Sequence, residues 1–384
     1  MVLTYIVYGG LLFFSTLLLY LSDKVRKSFE KKLLITFSFS IIFIVAAIRY
    51  NIGSDYQAYS YLYRAFQDGN AQNVEIGYRF LNMFIYKLGF DFEWFVAILS
   101  FITYFIFYKS YPKEKAYIFH FLFICTLYLY SFSNFRSSLV YGIMFVAIIN
   151  YMENKKIIPF FIFFAVSFSF HQSSVIYLLI PLLFSKPMGR LISSKYIPEV
   201  ILTLLVFLAL KAEMLREVFF YNPISLYLGF SHYADHEKFG GDANIGTGLG
   251  VLASLLAPIV FIVFRRYLIS KDERMIYVAI LSLFYVFLTD LSLATAIAAR
   301  VKLLFSFTNI LIVYYLAIYL GKNNKLFILL PIILLNALIY FKTIHDSNVV
   351  KFGDYDNAGI KVSPYITIFN KDESPRSAFH RLDL

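Results

Sequence analysis

Five ionisable residues stand where apolar runs end. They are Arg49 and Asp55 in "RYNIGSDYQAY", Arg136 in "SFSNFRSSLVYG", His171 in "FSFHQSSVIYL" and Arg300 in "ATAIAARVKLL". Glu75, in "VEIGYRF", is a sixth. Charge at membrane depth is costly and marks a functional position by default. Arginine keeps its charge at any pH, whereas histidine and the carboxylates can pass a proton. Each residue also has a plain structural alternative. Arg49 could be an anchor that snorkels to the interface. Arg300 has the same choice, with Lys302 as a nearby substitute. Asp55 could cap the helix that follows it, and His171 could be a satisfied structural histidine. Taken singly these signals are weak, and their common side of the membrane is the stronger one.

The elements that must position them are membrane helices. Apolar residues make up 60% of the 384 and charged residues 15%, against about 25% charged in a soluble domain. Mean hydropathy is +0.68. Many apolar runs approach the roughly 20 residues that cross a bilayer, and none shows the short alternating pattern of a barrel. The expected fold is an all-α polytopic membrane protein with about twelve spans. They fall at 2–21, 33–48, 92–108, 116–134, 138–152, 157–170, 174–185, 196–211, 248–264, 275–290, 300–320 and 326–342. The first run reads as a retained helix, since no basic flank precedes it and no small-residue cleavage site follows. The single cysteine, Cys125, allows no intramolecular disulfide.

Orientation follows from lysine and arginine. The short loops at 22–32, 109–115, 153–156, 186–195, 265–274 and 321–325 are basic and alternate with the others. The positive-inside rule puts them in the cytoplasm and both termini outside. These anchors account for most of the +11 net charge, so no nucleic acid partner is needed. The outward side holds the loops 49–91 and 212–247. We divide the chain into a transmembrane domain, 1–342, that includes these loops, and an outward tail, 343–384. Within 49–91, Tyr56, Tyr59, Tyr63 and Phe66 recur at helical spacing, as do Phe80, Phe84 and Leu88. The spacing predicts two amphipathic helices lying in the interface, with rings at headgroup level.

Other motifs carry less. "DYD" at Asp354–Asp356 has the spacing of a nucleotide-sugar metal site but falls in the outward tail. "GTGLG" at Gly246–Gly250 follows no strand, so it is no dinucleotide fingerprint. It does open a span, whose first N–H groups can receive a phosphate. His232 and His236 share a helical spacing without a convincing third ligand. No P-loop is present, and no internal repeat supports a transporter of inverted halves.

The stretch "RYNIGSDYQAY" resembles the R-x-x-x-G-x-D-Y-x-x-Y signature of the EpsG family, a group of Wzy-like polysaccharide polymerases. "EIGY" at Glu75–Tyr78, "FR" at Phe135–Arg136 and "FHQSS" at Phe170–Ser174 follow in the family's order. Serine stands after Arg136 where the family pattern leads us to expect glutamine. The resemblance covers residues 49–177; beyond them it rests on topology and Arg300. It implies a membrane glycosyltransferase similar to the GT-C type. Such an enzyme joins repeat units carried on polyprenyl pyrophosphate at the outer face of the bacterial cytoplasmic membrane. Implied partners are the lipid-linked oligosaccharide, the bilayer and a chain-length regulator, with no cofactor and no metal. On this reading Arg49, Arg136 and Arg300 meet the pyrophosphate, because arginine pairs phosphate oxygens bidentately. Arg49 could instead fix Asp55 by an ion pair. Asp55, His171 or Glu75 takes the acceptor proton. Tyr56, Tyr59 and Tyr78 supply aromatic faces for sugar. A lipid-linked glycan flippase, a secretion-complex subunit and a glycan ligase are the rival readings. A ligase would use the same donor and the same outward site.

Overall fold

The structure, a computed structural model, describes residues 1–67, 74–209, 248–321, 326–352 and 359–373. The loop expected at 212–247, with His232 and His236, lies outside them, as does Asp354–Asp356. Among the described residues all regular elements are helical, and two isolated bridges, Arg49 with Thr367 and Asn348 with Ser363, are the only extended pairings.

The chain forms two compact units. The first comprises 1–151, 156–175 and 337–384. Its helices are α1 (Val2–Lys24), α2 (Ser28–Ala47), α3 (Tyr56–Gln67), α4 (Ile76–Lys87), α5 (Phe92–Lys109), α6 (Ala116–Phe123), the start of α7 (Phe135–Asn154) and α8 (Ile157–Phe170). The second comprises 152–155 and 176–336. It holds α9 (Leu179–Leu183), α10 (Lys186–Ser193), α11 (Ile197–Ala209) and then the helices Leu249–Lys271, Met275–Ala294, Ala296–Leu304 and Phe307–Leu320.

Twelve spans are not reached among the described residues. Among the described residues six helices are long and apolar enough to cross a membrane, or up to eight if each bent pair is one span. The difference arises because hydropathy counts residues, whereas crossing needs continuous helix. The 14 residues of α8 rise about 21 Å, short of a hydrocarbon core of about 30 Å. The run at 116–134 is α-helical only to Phe123 and then passes through a π turn. The run after His171 begins as a 3-10 helix, and the Gln172–Leu183 segment bends by 66° into α10.

The amphipathic helices α3 and α4 form, but their tyrosine face turns inward. Tyr56, Tyr59, Tyr63, Phe66 and Tyr78 pack in one aromatic core with Phe92, Phe95 and Phe135. A 3.6-residue stripe specifies a face without saying what covers it; here it is α5 and α7. On α4 the apolar stripe faces outward: Phe80 is 71% exposed, and Phe84 and the C-cap Leu88 are also exposed.

The stretch 48–54 is held by the end of the chain. Tyr50 N–H donates to Ile366 O (2.9 Å), Gly53 N–H to Lys361 O (3.0 Å) and Ile368 N–H to Ile48 O (2.8 Å). Tyr8 Oη reaches Val362 O at 2.9 Å from the first helix. Residues 359–373 thus strap over residues 48–54 of the first unit. Ser133 Oγ ties in as well, accepting from Ser54 N–H and donating to Ile360 O, both at 3.0 Å.

Gly53 is required here on two counts. Its φ is +104°, and an added Cβ would lie 2.1 Å from Phe132 O. The obstacle is backbone, so no side chain can swing away. Gly53→Ala is expected to destabilise the protein by about 2–4 kcal/mol. Thermal unfolding of the purified variant in detergent checks this; an unchanged midpoint contradicts it.

Candidate functional site

Three helix ends meet around Glu75. This residue is the N-cap of α4 with φ −56° and ψ 140°, and its carboxylate caps no N–H of its own helix. It turns instead to α7 and α8. Arg136 Nη1, at the start of α7, donates to Glu75 Oε2. His171 Nδ1, at the C-cap of α8, lies 3.2 Å from Oε1, and Gln172 N–H donates to the same oxygen at 3.4 Å. The side chains are 11%, 25% and 23% exposed for Glu75, Arg136 and His171. The cluster is therefore mostly buried, and each of its side chains keeps some exposure.

The motif "EIGY" explains how the cluster closes. Gly77 lies against the last turn of α8, where a Cβ would sit 2.5 Å from Ser169 Oγ and 2.9 Å from Ser169 O. Only glycine lets α4 come this near, and this approach brings Glu75 to His171. One residue on, Tyr78 is buried and places its ring 5.3 Å from the Arg136 guanidinium. Tyr59 lies at 5.8 Å from the same group and stacks on Phe135 at 4.7 Å. The arginine thus emerges from an aromatic floor, which restricts its rotation and favours its charge.

Electrostatics fix the protonation states. Burial pushes the Glu75 carboxyl up, but the backbone N–H of Glu75, Arg136, His171 and Gln172 more than offset this and hold it below the usual range. The site at a helix N-terminus works in the same direction. Burial pushes His171 down, assisted by the Arg136 charge and opposed by Glu75. His171 is thus neutral at neutral pH. With Nδ1 bonded to the carboxylate, the ring donates there and keeps Nε2 as acceptor.

The other expected site residues lie elsewhere. Arg49 is only 2% exposed. Its guanidinium sits between Phe132 and Phe135, at 4.5 and 4.7 Å from their ring centres. It donates to Ala46 O and to Ser100 Oγ. It neither snorkels nor opens onto the Glu75 cluster; it locks the end of α2 to α5. Asp55 is exposed, and its Oδ1 accepts from Ser54 Oγ at 3.0 Å. The turn at Gly53 therefore serves the strap, without folding Asp55 back towards Arg49. Tyr56, Tyr59 and Tyr78 are buried in the core and offer no open face for sugar. Arg300 is exposed on the helix Ala296–Leu304 of the second unit. Gly248 is the N-cap of the helix Leu249–Lys271 with φ +72°. Sequence reasoning passed over Gln172 N–H, because backbone donors carry no signal in residue type.

No curated protein and no solved structure matches the chain. Residues 32–366, most of its length, match the EpsG family. The match spans the whole Glu75–Arg136–His171 cluster, and the chain belongs to the EpsG family.

Proposed function

We propose that the protein is a Wzy-like polysaccharide polymerase of the cytoplasmic membrane. It transfers glycan from a polyprenyl-pyrophosphate donor to a lipid-linked repeat unit at the outer face. Family membership supports a polymerase in general, and the Glu75–Arg136–His171 cluster is the single observation that carries the chemistry. His171 Nε2 accepts the proton of the attacking sugar hydroxyl. Glu75 holds the ring in the needed tautomer and stabilises the imidazolium that forms, as the third member of a catalytic triad does. Arg136 faces the charge that builds on the departing pyrophosphate oxygen. Glu75 occupies one of its nitrogens, and guanidinium has five N–H donors to share. Arg300 is a donor contact of its own in the second unit. Arg49 acts as framework.

Reconstitution with a lipid-linked repeat unit tests this reading. A ladder of products supports a polymerase. A single transfer to a different acceptor supports a ligase, and movement between leaflets without products supports a flippase.

Two expectations follow from the burial of each carboxylate and of the histidine. Asp55→Asn is expected to retain near-normal polymer output, since Asp55 stands at the surface with Ser54; loss of output in a folded variant overturns the choice of Glu75 and His171. The second concerns pH. A base works only when neutral, and the His171 pKa is depressed. The acidic limb of the rate profile is therefore expected below the ordinary histidine value of about 6.5. A limb above that value in initial-rate measurements assigns the base to another group.

A further inference from the structure

We propose that Arg49 and two serines bind a single chloride ion between α2, α5 and α7 of the first unit. None of these groups belongs to the Glu75 cluster. Arg49 carries a fixed positive charge and is 2% exposed. Its bonds go to neutral groups, the carbonyl of Ala46 and the hydroxyl of Ser100, and among the described residues no carboxylate pairs with it. The rings of Phe132 and Phe135 offset part of the burial. Nε, however, has no acceptor. A buried charge without a counter-charge is strongly unfavourable, so Arg49 favours an anion from outside the chain.

A cavity of about 10 Å³ adjoins the guanidinium, with Arg49, Ser100, Thr103, Tyr104, Ser131 and Ser138 as its polar lining. That is room for one particle about the size of water, and chloride is only slightly larger. Only some of the hydroxyls have a proton to give. Ser131 Oγ donates to Tyr128 O at 2.6 Å. Tyr104 Oη therefore donates in its 2.6 Å contact with Ser131 Oγ, and both of these protons are engaged. Ser100 Oγ accepts from Arg49 Nη1 at 3.0 Å and makes no bond through its own proton. Ser138 Oγ, on a residue 3% exposed, has no partner.

Three donors without acceptors thus stand on residues that line one small cavity: Arg49 Nε and the Ser100 and Ser138 hydroxyls. They carry one net positive charge. A monovalent anion accepts from all three and balances that charge. A water would leave the charge unbalanced and bring two more protons that need acceptors. The ion joins the end of α2, the middle of α5 and the first turn of α7, the turn that also carries Arg136.

Thermal unfolding of the full-length purified protein tests the site. The protein is prepared in detergent with gluconate as the only anion, and chloride then replaces gluconate at constant ionic strength. Gluconate is too bulky for the cavity. The unfolding midpoint is expected to rise by a few degrees and to saturate. An unchanged midpoint overturns the proposal and leaves water as the occupant. A rise that never saturates is a bulk salt effect and overturns it as well.

Ser138→Ala removes a hydroxyl that has no hydrogen bond to lose, so this variant is expected to fold. It takes one bond from the anion, and the half-saturating chloride concentration is expected to rise about tenfold or more. An unchanged half-saturation in folded Ser138→Ala overturns the site. Arg49→Met is expected to abolish the chloride response, and a response kept in the folded variant overturns the site too. If Arg49→Met does not fold, the half-saturation of Ser138→Ala decides.

Discussion

Glu75→Gln lowers the initial rate of polymer formation at least about a hundredfold while the protein remains folded. Glutamine fills the same space but carries no charge. It cannot hold Arg136 through a charge-assisted bond, and it cannot stabilise an imidazolium on His171. Both reacting groups therefore lose their setting in one substitution. The effect on folding is smaller, because Arg136 and His171 are each about a quarter exposed and water can solvate them. Ladder formation in proteoliposomes gives the rate, and thermal unfolding of the same preparation gives the stability. A folded Glu75→Gln protein with near-normal ladders would remove Glu75 from the mechanism.

Arg136→Lys follows with a loss of about a hundredfold or more. The substitution keeps the charge and removes the planar fork, so it separates general attraction from directed bonding. The aromatic floor sharpens the contrast. Tyr59 and Tyr78 flank a flat guanidinium, whereas an ammonium on a flexible stem would sit lower and lose the bidentate approach to phosphate. The comparison to make is kcat at saturating donor. A full kcat with a raised KM would mean that Arg136 only gathers substrate and does not act on the leaving group.

The cluster was legible in the sequence because charge inside apolar runs is rare and visible. Arg136 and His171 stand at the ends of apolar stretches, Glu75 stands in the loop 49–91, and their chain order resembles that of one family. Their mutual contacts were not legible, because they depend on Gly77 meeting Ser169 across two helices. Arg49 shows the opposite outcome. Its position at a span end suited an interfacial anchor or a phosphate contact equally. Burial was decided by Phe132 and Phe135, from a segment far along the chain. The tyrosines of α3 were read correctly as a helical face, yet periodicity could not say whether protein or lipid covers it. Among the described residues the helix count falls short of twelve where, as in α8, residues are apolar enough but too few.

The strap across residues 48–54 gives synthesis a timetable. Tyr8 and Val362 are 354 residues apart in sequence, yet the first unit is closed only when they meet. A ribosome adding about 5–20 residues per second needs roughly 20–70 s to bridge that distance. Through this interval the early helices sit in the bilayer with the Tyr8 hydroxyl and the Tyr50 and Gly53 amides still waiting for acceptors at the far end of the message. A nascent chain interrupted before Val362 therefore carries every residue of the Glu75 cluster and lacks the clasp that closes over the loop leading to it.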